Sequence, residues 1–284
     1  MSGAVLCQLA TGFFSELKEF GGFPFATDRI LFWSVLVGVL VICIGVFRSG
    51  AVRALFRREL SAYFLSPIAY VVLTVFVFIS SILFFIYIKN RAGDVGGILG
   101  TMSFIMIFVS PILTMRLFAE ESSSGTIEVL MTAPITDVQV VLAKYFAALF
   151  FYAFLFLPTL AYPLVLCWLG EPDEGVVLSG YIGAMLIGAF YLSVGILMSS
   201  MSKNQIVAAV AGVILLLLLW IAGFFAPTGT DWAHHALQYV SLIGHLEPML
   251  KGIVDSRDVL FFVSFVAFFL FLTVRSVESR KWRL

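Results

Sequence analysis

Long uncharged stretches separated by short polar ones make up most of the chain after residue 66. A helix needs about 20 apolar residues to cross a bilayer whose hydrocarbon core is about 30 Å thick, and each stretch is close to that length. The pattern predicts six transmembrane helices, at residues 67–88, 98–115, 145–169, 176–200, 206–225 and 259–274. Together they predict an all-α fold, a polytopic membrane helix bundle.

A further uncharged stretch, residues 30–47, lies apart from these six near the start of the chain. A cleaved signal peptide is the competing interpretation. It is disfavoured because an acidic segment precedes the stretch and Arg48 stands where a small residue would mark the cleavage site. We therefore expect an extra first span, with residues 1–50 as an N-terminal extension and residues 51–284 as the transmembrane domain.

The segment between this stretch and the first of the six spans has basic and apolar positions on opposite sides of a predicted helix. The basic side holds Arg53, Arg57 and Arg58, and the apolar side holds Val52, Phe56, Leu60 and Tyr63. Such a pattern is typical of a helix that lies in the membrane interface with its basic side towards the headgroups. Glu59 interrupts the apolar side. The alternative is a cytoplasmic linker with the basic residues that follow most spans.

Two of the predicted spans contain residues that affect helix shape and packing. Pro158 and Pro163 lie inside the third of the six spans, so we expect that helix to be kinked or broken. In the next span, Gly180, Ala184 and Gly188 recur at four-residue intervals, a spacing that lets two helix backbones approach closely in lipid. We interpret these small residues as packing between helices; the alternative is that they line a substrate path.

The composition agrees with a membrane protein, since 61% of the residues are hydrophobic and 12% are charged. Soluble domains carry about 25% charged residues. The three cysteines are widely spaced and indicate neither a disulfide framework nor a zinc site. The spans contain almost no ionisable residues, whereas ion-coupled carriers place charged groups near mid-membrane. This absence argues against a secondary transporter and favours energy delivered by a partner.

The polar stretch at residues 116–137, between the second and third of the six spans, is long enough to meet a soluble partner. Its acidic pair, Glu120 and Glu121, is followed by a turn-prone run that ends at Gly125. About two helical turns can follow before Pro134 stops them. The helix would have Thr126 as its N-cap, Glu128 at its positive end, and Leu130 and Met131 as apolar contacts. We interpret this stretch as a docking element, the docking loop.

The docking loop resembles the first cytoplasmic loop of ABC-2 type transporter permeases, whose pattern is roughly E-x-x-x-G-T-hydrophobic-E-x-L-hydrophobic-x-x-P. The matching residues are Glu121, Gly125, Thr126, Glu128, Leu130 and Pro134. Three further segments resemble the same family, nearest to its gliding-motility-associated branch: residues 57–72, 199–209 and 245–264. The resemblance extends over about residues 51–275.

The resemblance implies a role for the docking loop. In ABC-2 permeases this segment is a coupling helix that binds in a groove of a separate ATP-hydrolysing subunit, so ATP and Mg²⁺ would bind the partner and this chain would hold no cofactor. It also implies a second permease copy or a paralogue, two ATPases, and a place in the inner (plasma) membrane. The implied docking residues are Glu120, Glu121, Gly125, Thr126, Glu128, Leu130, Met131 and Pro134, and an elbow helix would be anchored by Arg57, Arg58 and Glu59.

The distribution of basic residues predicts which side of the membrane the docking loop faces. Seven spans and an outside N-terminus place eleven of the 17 Lys and Arg residues inside, as the positive-inside rule requires. The six outside are Lys18, Arg29, Lys89, Arg91, Lys251 and Arg257. The same assignment places the docking loop in the cytoplasm, where ATP is.

Motifs that would give the chain its own chemistry are missing. It has no G-x-x-x-x-G-K-[ST] to hold ATP phosphates, and no G-x-S-x-G, H-E-x-x-H or paired C-x-x-C. His234, His235 and His245 could bind a transition metal, but no acidic or thiol ligands occur at matching spacing, so a loop or interface role is favoured.

These observations favour one function over two alternatives. We expect a non-catalytic, membrane-spanning permease subunit that couples ATP hydrolysis in a partner to export. A membrane scaffold or assembly component, which docks soluble partners without transporting, would carry the same loop. A membrane-embedded enzyme would need a cluster of catalytic polar groups near one face, and the sequence is too sparse in such groups to support one.

Overall fold

The computed structural model describes residues 49–89, 95–125, 135–169, 173–222 and 240–281. Within these ranges the protein is helical and contains no strand. Among the described residues, five helical segments are long and apolar enough to cross a membrane. The all-α, polytopic membrane bundle expected from the sequence is therefore confirmed. The extra span expected at residues 30–47 lies outside the described residues.

The helices follow the apolar stretches closely. In chain order they are α1 (Gly50–Leu65), α2 (Pro67–Lys89), α3 (Val95–Thr114), α4 (Arg116–Ser123), α5 (Asp137–Phe156), α6 (Ala161–Leu169), α7 (Glu174–Met201), α8 (Gln205–Ile221), α9 (Leu242–Leu250) and α10 (Ser256–Lys281). The five long spans are α2, α3 with α4, α5 with α6, α7, and α10. The remaining expected span corresponds to α8, a shorter apolar helix of 17 residues.

Helix α7 lies at the centre of the bundle, where it packs against α3, α4, α5, α8, α9 and α10. Within its most apolar window 72% of the residues are buried, against 17% for α2. The difference separates a helix that is surrounded by protein from one that is mostly exposed within the described residues. A movement of α7 would therefore displace most of the helices that pack against it.

The small residues of α7 permit this central position. A methyl group at Gly180 would lie 2.6 Å from the Leu99 side chain of α3, and one at Gly188 would overlap the ring of Tyr152 on α5. Close backbone approach at small residues is a main source of helix association in lipid. The interpretation of this stripe as helix packing is confirmed at both glycines.

The prolines interrupt the third span as expected. Helix α5 ends at Phe156, a 3₁₀ turn covers Pro158–Leu160, and α6 continues from Ala161. Pro163 has no N–H to donate to the carbonyl of Thr159 one turn earlier. The Tyr181 hydroxyl of α7 donates to that carbonyl at 2.8 Å instead. A neighbouring helix thus satisfies the backbone group that the proline leaves open.

We expect Gly188→Ala to destabilise the bundle, because its methyl group must displace the Tyr152 ring in a packed interior. Overpacking of this kind costs about 1–3 kcal/mol. The measurement is the free energy of unfolding of the purified protein in detergent. The matched control is Gly50→Ala in α1, where an added methyl group meets no atom within 4 Å. Equal stability of the two variants would contradict this packing.

Candidate coupling site

Helix α1 is oriented by a buried stripe that includes a charge. Val52, Leu55, Glu59 and Tyr63 are the buried residues of this helix. The sequence pattern correctly predicts Val52 and Tyr63 on this side, but it also puts Phe56 and Leu60 there and treats Glu59 as an interruption. Phe56 and Leu60 are only partly buried. The carboxylate of Glu59 belongs to the packed face because it has a partner there.

The partner is Lys144, seven residues beyond the start of α5. Its side chain is 1% exposed, and its ammonium group lies 3.1 Å from Glu59 Oε1 and 2.8 Å from Glu121 Oε1. It also donates to the carbonyl oxygen of Leu117 at 2.8 Å. A lysine ammonium has three donors, and these three acceptors account for them.

Arg58 completes the group from the solvent side. Its Nη2 lies 3.0 Å from Glu59 Oε1 and 2.9 Å from Glu121 Oε1, while 61% of its side chain is exposed. Arg58, Glu59, Glu121 and Lys144 form what we call the ion cluster, which joins α1, α4 and α5. Two cations and two carboxylates give it no net charge, and a buried group of charges is tolerated only when it is paired in this way.

The pKa of Arg58 reflects these contacts. Burial lowers the pKa of its guanidinium, but the hydrogen bond and charge of Glu59 and the charge of Glu121 outweigh burial, so the pKa lies above its ordinary value. Arg58 is therefore a permanent cation of the ion cluster.

The short helix α4 is attached to the centre of the bundle by Ser199 of α7. The Ser199 hydroxyl accepts from the backbone N–H groups of Phe118 and Ala119 at 3.1 and 3.2 Å, and it donates to the carbonyl of Met115 at 2.8 Å. These three bonds satisfy backbone groups where α3 breaks and α4 begins. A displacement of α4 must therefore move α7 or break buried hydrogen bonds.

A second set of contacts joins α1 to the same junction between α3 and α4. The Tyr63 hydroxyl donates to the carbonyl of Leu113 at 2.8 Å, and the Arg116 guanidinium lies 4.6 Å from the centre of the Tyr63 ring. Arg116 also donates to the carbonyl of Ala62 at 3.1 Å. Burial raises the pKa of Tyr63, which keeps its hydroxyl protonated as a donor.

The two acidic residues that begin the docking loop, Glu120 and Glu121, face different surroundings. Glu120 is exposed on α4, whereas Glu121, its neighbour, belongs to the ion cluster. The run after them is helical as far as Ser123, so the turn expected at residues 122–125 occurs only at its end, where Gly125 has a φ of 72°. That left-handed conformation favours glycine. Thr126, Glu128, Leu130, Met131 and Pro134 lie outside the described residues.

The chain re-enters the bundle through a capping box. The Thr136 hydroxyl accepts from the N–H of Gln139 at 3.4 Å, and the Gln139 side chain accepts from the N–H of Thr136 at 3.2 Å. Such a box fixes where a helix begins. Both ends of the docking loop are thus anchored, one by the ion cluster and the other by the start of the helix that carries Lys144.

Lys144 and Ser199 are the residues of this site that the sequence-based interpretation left without a role. The distribution of basic residues places Lys144 only as one of the eleven inside charges, although a lone lysine between apolar residues signals a buried partner. Ser199 begins one of the segments that carry the family resemblance, but a serine in a helix gives no sign of its partner. Arg57, expected with Arg58 and Glu59 to anchor α1, is exposed.

The opposite end of the bundle holds a separate polar contact. His245 Nδ1 lies 2.7 Å from Asp258 Oδ1, and its ring stacks on Phe261. His234 and His235 lie outside the described residues. Across the ranges that the structure covers, no group of three His, Cys, Asp or Glu side chains could hold a metal ion.

A family model relates the chain to known proteins. A family model described as "ABC-2 family transporter protein" matches residues 89–243, more than half of the chain. The match includes α3 to α8 and therefore Glu121, Lys144 and Ser199, and it begins after α1. No curated protein matches the chain significantly.

We expect Lys144→Met to destabilise the protein by about 3–5 kcal/mol, because Glu59 and Glu121 would then be left largely buried with too little positive charge. The measurement is the free energy of unfolding in detergent. The matched control is Lys251→Met, which removes an exposed i,i+4 ion pair with Glu247 and should cost at most about 1 kcal/mol.

Adding Glu59→Gln and Glu121→Gln to Lys144→Met should recover part of the loss, since neutral side chains need no counter-charge. If Lys144→Met were as mild as Lys251→Met, the ion cluster would not be a structural constraint.

Proposed function

Because the chain belongs to the ABC-2 family of transporter proteins, we propose that this permease subunit is driven by ATP hydrolysis in a separate chain and works as an exporter in the inner membrane. ATP and Mg²⁺ would bind that partner ATPase. Two copies of the permease, or this chain with a paralogue, would assemble with two ATPases. The similarity to the gliding-motility branch rests on the sequence segments alone.

The observation that carries this proposal is the ion cluster at the base of the docking loop. A partner that pushes on the loop moves α4, and α4 is connected to α1 and α5 through Glu121 and to α7 through Ser199. Removing one partner of a buried ion pair costs about 3–5 kcal/mol, so a displacement should move these helices together. A push at the surface is in this way converted into a movement of the bundle.

The two glutamates then have different roles in the proposal. Glu120 is exposed at the start of the docking loop and is available to the ATPase. The expected contact residues beyond Gly125 would be available to it as well: Thr126, Glu128, Leu130 and Met131. Glu121, which the sequence placed in the docking contact, would act inside the permease and transmit the movement. The ATPase would thus be bound by one residue and coupled through its neighbour.

We expect Gly125→Pro and Glu128→Arg to leave the protein inserted but to abolish its stimulation of the partner ATPase. Proline cannot adopt the positive φ of Gly125, and Glu128→Arg reverses the charge of the expected contact. The measurement is ATP hydrolysis by the co-reconstituted partner, with Glu247→Arg at the opposite end as the matched control. Full stimulation in both loop variants would refute the docking role.

A second pair of variants separates binding from coupling. Glu120→Gln should weaken binding of the ATPase with little change in the stability of the permease. Glu121→Gln should preserve binding but lower the stimulated ATPase rate, because the ion cluster loses one of its two carboxylates. If the partner bound this chain but its ATPase rate never responded to it, the scaffold alternative would replace the proposal.

A further inference from the structure

An apolar groove lies on the side of the bundle between α5 and α10. Its volume is about 570 Å³, its floor is formed by Leu186 and Ala189 of α7, and its walls include Tyr145 on one side and Val266 and Leu270 on the other. Both wall helices belong to membrane-spanning segments. A groove of this kind must be filled by something apolar, since a gap would forfeit the dispersion contacts of its lining.

The polar end of the groove lies on the same side of the membrane as the ion cluster. Arg275 and Glu278 of α10 and Val138 at the start of α5 line this end. The Arg275 guanidinium lies 5.1 Å from the centre of the Phe271 ring, and its Nη1 lies 2.8 Å from Glu278 Oε2. A guanidinium has five N–H donors, so this ion pair leaves capacity for a phosphate oxygen.

The sequence around this end is strongly basic. Residues 275–284 contain four basic residues, Arg275, Arg280, Lys281 and Arg283, and one acidic residue, Glu278. A cluster of basic residues at the cytoplasmic end of a transmembrane helix is typical of binding to anionic lipid headgroups. The groove and the charge are independent observations: the groove indicates an apolar chain, and the basic residues indicate an acidic head.

We propose that this groove binds an anionic phospholipid, with an acyl chain between α5 and α10 and the phosphate at Arg275. The volume is in the range of about 300–1,000 Å³ that ligand sites occupy. From Phe262 to Arg275 the groove follows α10 for about 20 Å, which exceeds the depth of one leaflet, about 15 Å. A bound chain would therefore be covered over its full length.

The charge at the mouth disfavours the two other candidate occupants. Residues 30–47 of this chain are uncharged but are followed by Arg48, which would add a positive charge to the same end. In a two-fold dimer with its axis along the membrane normal, equal depths meet, so Arg275 would face a second Arg275. An anionic headgroup is the occupant that complements this end.

The test uses the full-length protein in nanodiscs of equal parts phosphatidylglycerol and phosphatidylethanolamine, released and analysed for bound lipid by native mass spectrometry. We expect phosphatidylglycerol to remain bound to the wild type. Ala267→Trp, which fills the groove, should lower lipid retention about tenfold. Arg275→Gln should lower the preference for phosphatidylglycerol about fivefold while lipid remains bound.

Two matched controls keep this result specific. Val75→Trp places the same indole side chain on the exposed face of α2, and Arg257→Gln removes a charge from the opposite end of α10; neither should change lipid retention or preference. If Ala267→Trp lost no more lipid than Val75→Trp, or Arg275→Gln shifted preference no more than Arg257→Gln, the proposal would be overturned.

A cross-linking experiment distinguishes the other occupants. Ala267→Cys is introduced with Cys7→Ser and Cys167→Ser, so that Cys43 remains as the native thiol of residues 30–47. Absence of cross-links supports the lipid. A link from position 267 to Cys43, or between positions 267 of two copies, would overturn it. Stimulation of the ATPase by Ala267→Trp would be measured separately, since the lipid site does not depend on the coupling mechanism.

Discussion

A single buried ammonium group, that of Lys144, imposes the arrangement of the polar end of this protein. An ion of this kind is tolerated in an apolar interior only when carboxylates and carbonyls surround it. Glu59, Glu121 and the carbonyl of Leu117 supply them from α1 and α4. The interfacial helix and the start of the docking loop must therefore meet the third span, although neither is adjacent to Lys144 in the chain.

The same logic of satisfied polar groups applies to the breaks in the helices. The chain interrupts its helices at Met115 and around Pro158, and at each place α7 supplies the missing hydrogen bond, from Ser199 in the first case and Tyr181 in the second. In lipid no water can replace these bonds. The central helix thus fixes both irregular segments, which is why a movement of α4 can be expected to reach it.

The differences between the sequence-based prediction and the structure have one cause. The apolar stretches correctly indicated the five long spans, the prolines the kink, and the small residues the packing of α7. The resemblance correctly indicated the ABC-2 family, whereas its gliding-motility branch is not supported. The sequence could not show that Glu120 and Glu121 have different surroundings. Adjacent helical residues point about 100° apart, and only the neighbouring elements decide which of the two is buried. The prediction also took Glu59 for an interruption of the apolar side and Lys144 for a charge on the inner side, because the sequence does not show which distant residue a charge is paired with. The contact residues beyond Gly125 stay a prediction.

The features that the amino-acid sequence determined by itself are local. They are the length of each apolar stretch, the interruption of the third span at its prolines, and the use of glycine in the turn at Gly125. These depend on interactions within a few residues or with the bilayer as a solvent. The ion cluster is formed only in the tertiary structure, because Lys144 and Glu59 are 85 positions apart. The apolar groove is also formed only there, because its walls come from α5 and α10. Their pairing depends on how the helices pack, which no local pattern records.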